Sequence, residues 1–105
     1  MSTKKHYTLA DLEKEFGPLT FGNTLESYRI GEEMTQKEFA KKLGITPQSL
    51  CDLEKSRRIP SVERAAKIAK KLNEPAESWI GLALSDMVRE AHLNFKVEVK
   101  KASGD

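Results

Sequence analysis

The chain has 105 residues, 38% of them hydrophobic and 32% charged. That suits one domain with a small core and many solvated faces. No apolar run approaches the ~20 residues of a membrane-spanning helix, and none follows Met1–His6 as a secretory signal would require. One cysteine, Cys51, excludes an internal disulfide and a multi-cysteine metal cage. These features predict a small cytoplasmic protein without a membrane partner.

The 18 basic and 16 acidic residues leave a net charge of only +2, but they are unevenly placed. Residues 1–34 carry four Lys/Arg against six Asp/Glu (−2), residues 35–72 ten against four (+6), and residues 73–105 four against six (−2). A basic middle between acidic flanks points to a localised anionic partner. Lysine-rich, solvated helix faces would give the same balance.

A short helix is predicted first, capped by Thr8, with Leu9, Leu12 and Phe16 at helical spacing and Gly17-Pro18 as its stop. Leu19–Asn23 reads as extended or looped, and Thr24–Met34 as a second helix with Leu25 and Tyr28 on one side. Thr35-Gln36-Lys37-Glu38 is a capping box, in which Thr35 and Glu38 can satisfy each other's free amides. Phe39, Ala40 and Leu43 form the apolar face of the helix it opens, and Gly44 can close it in the left-handed conformation. Thr46-Pro47 then starts another helix to about Lys55, because a proline at the first helical position loses no needed donor. Two capped helices about a tight turn are the pattern of a helix-turn-helix.

Leu50 and Leu53 fall on the inner side of that second helix, while Gln48, Asp52 and Lys55 fall on the outer side, flanked by Ser49 and Cys51. The basic loop Ser56-Arg57-Arg58-Ile59-Pro60 follows. Ser61 caps a further helix with Val62, Ala65, Ala66, Ile68, Ala69 and Leu72 predicted to be buried. After Asn73-Glu74-Pro75, Trp79, Ile80, Ala83, Leu84, Met87, Val88 and Ala91 make a stripe at helical spacing. Phe95, Val97 and Val99 alternate with Lys96, Glu98 and Lys100, which predicts a half-buried β-strand before a frayed tail. A lone strand needs a partner, either Leu19–Phe21 or the same segment of a second subunit.

Nothing in the chain marks catalysis. There is no glycine-rich phosphate loop, GxSxG elbow or HExxH motif, and His6 and His92 lack companions at ligand spacing. No cofactor or metal is expected, and the reading is not an enzyme.

The run Thr35–Ser61 resembles the lambda-repressor-like (Cro/C1, xenobiotic-response-element type) helix-turn-helix DNA-binding family. The similarity extends over helices from about Thr24 to Ile80. It implies a mainly α, five-helix domain, here with a short N-terminal helix and a C-terminal β-strand added. It also implies residue roles. Gln36 matches the glutamine that clamps a DNA phosphate at a helix N-terminus. Gln48 and Asp52 match base-reading positions, where a glutamine suits adenine and a carboxylate suits cytosine. Ser49 lies on the same base-facing side, and Pro47 would offer an apolar contact where some relatives carry a reading side chain. Lys55, Arg57 and Arg58 match phosphate contacts. Glu54 matches a glutamate that pairs with an arginine of the first family helix, here Arg29, and sets it beside the phosphates. Ser56 departs from the family, which often has glycine there.

Residues 1–21 are thus expected to be an N-terminal extension, 22–80 the DNA-binding domain, and 81–105 the rest of the last helix plus the strand. The last segment is expected to dimerise through Trp79, Leu84, Met87, Val88, Phe95, Val97 and Val99 about a two-fold axis. The expected function is a sequence-specific, double-stranded DNA-binding transcriptional regulator, a homodimeric repressor on a palindromic operator. Two alternatives remain open at this point: an antitoxin that represses its own operon and holds a small toxin, and an adaptor that keeps the fold without binding DNA.

Overall fold

The computed structural model describes residues 18–102, which hold five helices: α1 (Phe21–Gly31), α2 (Gln36–Leu43), α3 (Pro47–Glu54), α4 (Val62–Leu72) and α5 (Ala76–Glu90). The predicted helix at Thr8–Phe16 and the tail Ser103–Asp105 lie outside the described residues. α1 packs on α3 and α5, α2 on α3 and α4, and α4 along α5. Phe21, Leu25, Phe39, Leu50, Ile68, Leu72, Trp79 and Ala83 meet at the centre. Phe21 and Tyr28 both set their rings edge-on to Trp79, with centroids 5.3 and 6.4 Å away. This geometry suits the ring quadrupoles.

Local chemistry fixes most helix ends. The hydroxyls of Thr20, Thr35, Thr46 and Ser61 each accept the amide three residues on, and Glu38 returns the bond to the Thr35 amide at 2.9 Å. Gly44 (φ 74) and Asn73 (φ 62) close α2 and α4 in the left-handed region.

Four expectations are corrected. The first described helix starts at Phe21, not Thr24, so Phe21-Gly22-Asn23 is helical rather than looped. Poor helix formers open it because Thr20 caps it and burial of Phe21 (1% exposed) outweighs propensity. Val62 is 42% exposed, since the first turn of α4 projects past the core. Trp79 is 2% exposed and belongs to this chain's own core, so it offers no surface to a second copy. The C-terminal β-strand is absent: residues 93–102 adopt no regular structure, and among the described residues the backbone of 94–102 makes no backbone hydrogen bond. An all-helical body has no sheet edge for that segment to join, and Phe21, in the proposed internal partner strand, is helical. The segment instead turns back along α5. A Cβ on Gly81 would lie 3.7 Å from Val99 Cγ2, and Val97 and Val99 are half-buried beside a groove of about 650 Å³.

A contact that the sequence patterns do not announce ties α1 to α5. The Phe21 amide donates to Asp86 Oδ2 at 2.9 Å, and Arg89 donates to Asp86 Oδ1 at 3.2 Å. Asp86 is only 9% exposed. Burial pushes its carboxyl above the usual carboxylate range, against the pull of the Phe21 amide and Arg89.

Candidate nucleic-acid interface

α3 presents two faces of opposite character. Leu50, Leu53 and Glu54 are buried on one side, while Pro47, Gln48 and Lys55 are exposed and Ser49, Cys51 and Asp52 half-exposed on the other. Short polar side chains around an N-terminal proline leave this helix able to approach a groove closely. At its C-terminal end the amides of Arg57 and Arg58 both donate to the Asp52 carbonyl, at 2.8 and 3.3 Å. Ser56 takes φ 61 just before them. The serine therefore adopts a left-handed conformation that favours glycine, and the loop still brings Arg57 back over the helix.

α1 comes close to this turn because residue 22 is glycine. A Cβ there would lie 2.8 Å from the Glu54 carbonyl oxygen and closer still to that of Leu53. Spacing alone cannot reveal such a position, because it depends on how two backbones cross.

Beneath the outer face, Glu54 collects three donors. Arg29 Nε lies 2.7 Å from Oε2, Arg29 Nη2 3.1 Å from Oε1, and Gln36 Nε2 2.9 Å from Oε1. Arg29 Nη1 donates to the Met34 carbonyl at 3.0 Å. The Glu54 side chain is wholly buried and that of Arg29 is 14% exposed. Hydrogen bonding to Glu54 raises the Arg29 pKa above its ordinary value against the cost of burial. The structure thus joins three sequence-selected residues. It anchors Gln36 at the N-terminus of α2, where free amides and the helix dipole favour an anion.

On the outer face, Gln48 Nε2 and Arg57 Nε both donate to Asp52 Oδ1, at 3.1 and 3.0 Å. Arg57 Nη2 lies 3.3 Å from Cys51 Sγ. Sequence reasoning misses this pairing, although Gln48 and Asp52 stand one turn apart, where helix side chains meet. Arg58 is exposed beside this cluster and Lys55 at the end of the helix. No group of His, Cys, Asp and Glu among the described residues is arranged to hold a metal ion.

A family model described as helix-turn-helix matches residues 25–79, just over half of the chain. The chain belongs to the helix-turn-helix family, of the Cro/C1, xenobiotic-response-element type. An uncharacterized HTH-type transcriptional regulator of Methanocaldococcus jannaschii is 44% identical over 48 residues, which are 46% of this chain and 73% of that protein. Two uncharacterized HTH-type transcriptional regulators of Archaeoglobus fulgidus are 36% and 38% identical over 53 residues, half of this chain and 75% and 76% of theirs. The helix-turn-helix protein described here is accordingly a transcriptional regulator with a DNA-binding domain. Among its described residues no helix is long and apolar enough to cross a membrane.

Proposed function

We propose that this regulator is a cytoplasmic, homodimeric repressor that reads a palindromic operator. The observation that carries the reading is the surface of α3. Pro47, Gln48, Ser49 and Asp52 lie on its outer side, which would face base edges in the major groove, while Gln36, Arg29, Lys55, Arg57 and Arg58 around it would contact phosphates. Occupying promoter DNA is sufficient for repression. The 81–105 segment supports a dimer. Leu93 and Phe95 are 53% and 73% exposed, Leu84, Met87 and Val88 are half-buried on α5, and the alternating segment 94–102 has unpaired backbone. A second copy packed about a two-fold axis would cover the exposed Leu93 and Phe95 and the half-buried face of α5. Two copies of α3 would then read half-sites ~34–36 Å apart.

Selection of bound duplexes from random DNA tests both parts. A palindrome with half-sites one helical turn apart is the expected result, and no enriched motif would overturn the DNA-reading function. Deleting Leu93–Asp105 should give a monomer by light scattering and weaken operator binding. A truncated protein that stays dimeric at parental affinity overturns the dimer. The exposed Leu93 and Phe95 also favour a second reading, an antitoxin whose arm holds a small protein, and stoichiometric co-purification of such a partner would replace the first.

A further inference from the structure

The outer face of α3 is a wired set rather than independent side chains. One oxygen, Asp52 Oδ1, accepts from Gln48 Nε2 at 3.1 Å and from Arg57 Nε at 3.0 Å. Arg57 is held there from two directions, since its own amide also donates to the Asp52 carbonyl at 2.8 Å. We propose that Asp52 is a positioning residue that locks the Gln48 amide in the orientation that reads adenine, rather than a base reader itself. This role rests on the DNA-reading function proposed for α3.

Donors and acceptors decide the orientation. An ionised carboxylate can only accept, so the Gln48 amide must turn its NH2 toward Asp52. Arg57 beside Asp52 holds that carboxyl below the usual carboxylate range, and the Gln48 bond adds to the effect. Asp52 is therefore ionised wherever DNA binding is measured. With one N–H spent on Asp52, Gln48 presents outward one acceptor, Oε1, and one remaining N–H. Adenine offers the matching pair in the major groove, the N6 amino group and N7. Guanine offers two acceptors, O6 and N7, and would set its O6 against Gln48 Oε1. An unrestrained glutamine could flip its amide and donate an N–H to guanine O6 instead. Asp52 forbids the flip, and Arg57 cancels the charge that would repel the phosphates.

The test compares the full chain with Asp52→Ala, Asp52→Asn, Gln48→Ala and the double variant Gln48→Ala/Asp52→Ala. Random duplexes are selected with each, followed by competition between paired duplexes that differ at one base. The parent should require adenine at a position whose preference Gln48→Ala erases. In Asp52→Ala the adenine-over-guanine preference there should fall from about tenfold or more to about twofold, the range one bidentate contact can supply. Asp52→Asn should lie between, because a side-chain amide can either accept or donate. In the Gln48→Ala background, removing Asp52 should leave preference at that position unchanged. Unaltered melting of Asp52→Ala would show that the fold is intact, and Asp52→Asn serves if it is not. An unchanged adenine preference in Asp52→Ala overturns the inference. So does a cytosine preference that Asp52→Ala abolishes even when Gln48 is already alanine, which would make Asp52 a direct reader. A parent that selects no motif ends the DNA-reading function as a whole, whereas a parent motif unaltered by Asp52→Ala ends only the positioning role.

Discussion

The same three side-chain types meet twice around α3. Arg29, Glu54 and Gln36 form one cluster, and Arg57, Asp52 and Gln48 the other. The carboxylates are two residues apart, so the helix throws them to opposite sides. Glu54 is wholly buried at the crossing of α1, α2 and α3, whereas the Asp52 and Arg57 side chains are 21% and 55% exposed. Water makes the difference. In the inner cluster water cannot replace a lost partner, and the next carboxylate, Glu26, lies no closer than 4.0 Å to Arg29 Nη2, so the trio holds three helices in place. In the outer cluster solvent offers substitutes, so the trio contributes little to stability and instead sets how its side chains face a ligand.

The largest effect should come from breaking the inner cluster. Glu54→Ala strands the Arg29 guanidinium and the Gln36 amide, and for a buried pair the loss reaches ~3–5 kcal/mol. Chemical denaturation should report it directly. Replacing Arg29 and Glu54 together with apolar residues should restore part of that stability, because no charge is left unpaired, while DNA affinity stays low. A Glu54→Ala protein as stable as the parent would show that burial does not set the two clusters apart.

A smaller effect is expected at Asp86, the second buried carboxylate among the described residues, which has a backbone amide as its principal partner. Asp86→Ala leaves the Phe21 amide buried without an acceptor, at a cost of ~1–3 kcal/mol. Asp86→Asn keeps an acceptor and should recover most of it. The two carboxylates Asp86 and Asp52 also predict opposite pH behaviour. Burial raises the Asp86 pKa on folding, so the folded state binds the proton more tightly than the unfolded chain. Its contribution to stability therefore grows as pH falls from neutral through the raised value, and levels off below the ordinary carboxylate range. Asp52 has a lowered pKa, so its contribution is lost as pH falls through that lowered value. Unfolding of Asp86→Asn measured across acidic pH should lack the gain that the parent shows.

What could be read in advance follows the reach of each interaction. Residues 35–61 were legible because each signal there closes within a few residues: a capping hydroxyl, its reciprocal glutamate, and a glycine at the turn. Phe95–Val99 carries an equally clear pattern and failed, because a strand is completed only by another strand and the described chain supplies none. Gly22 and Asp86 were illegible for a related reason. Their roles lie in a helix crossing and in a bond across 65 residues, which no local pattern encodes. The Arg29–Glu54 pairing came from the family resemblance, since spacing alone could not have matched residues on separate helices. The Gln48–Asp52 contact could have been read from its one-turn spacing.

The smallest effect on stability should come from the outer cluster, where binding should instead respond. Arg57→Ala with Arg58→Ala removes an exposed ion pair and one further solvated cation, so melting should stay at the parental temperature. Affinity for operator and for unrelated duplexes should fall together, because phosphate contacts position the protein without specifying sequence. The plot of log affinity against log salt should flatten by about 0.9 for each phosphate that is no longer neutralised. A steep salt slope that survives both substitutions would move the phosphate contacts elsewhere on the basic middle of the chain. A large drop in melting temperature would mean that water does not separate the two clusters, and that the outer one also holds the fold.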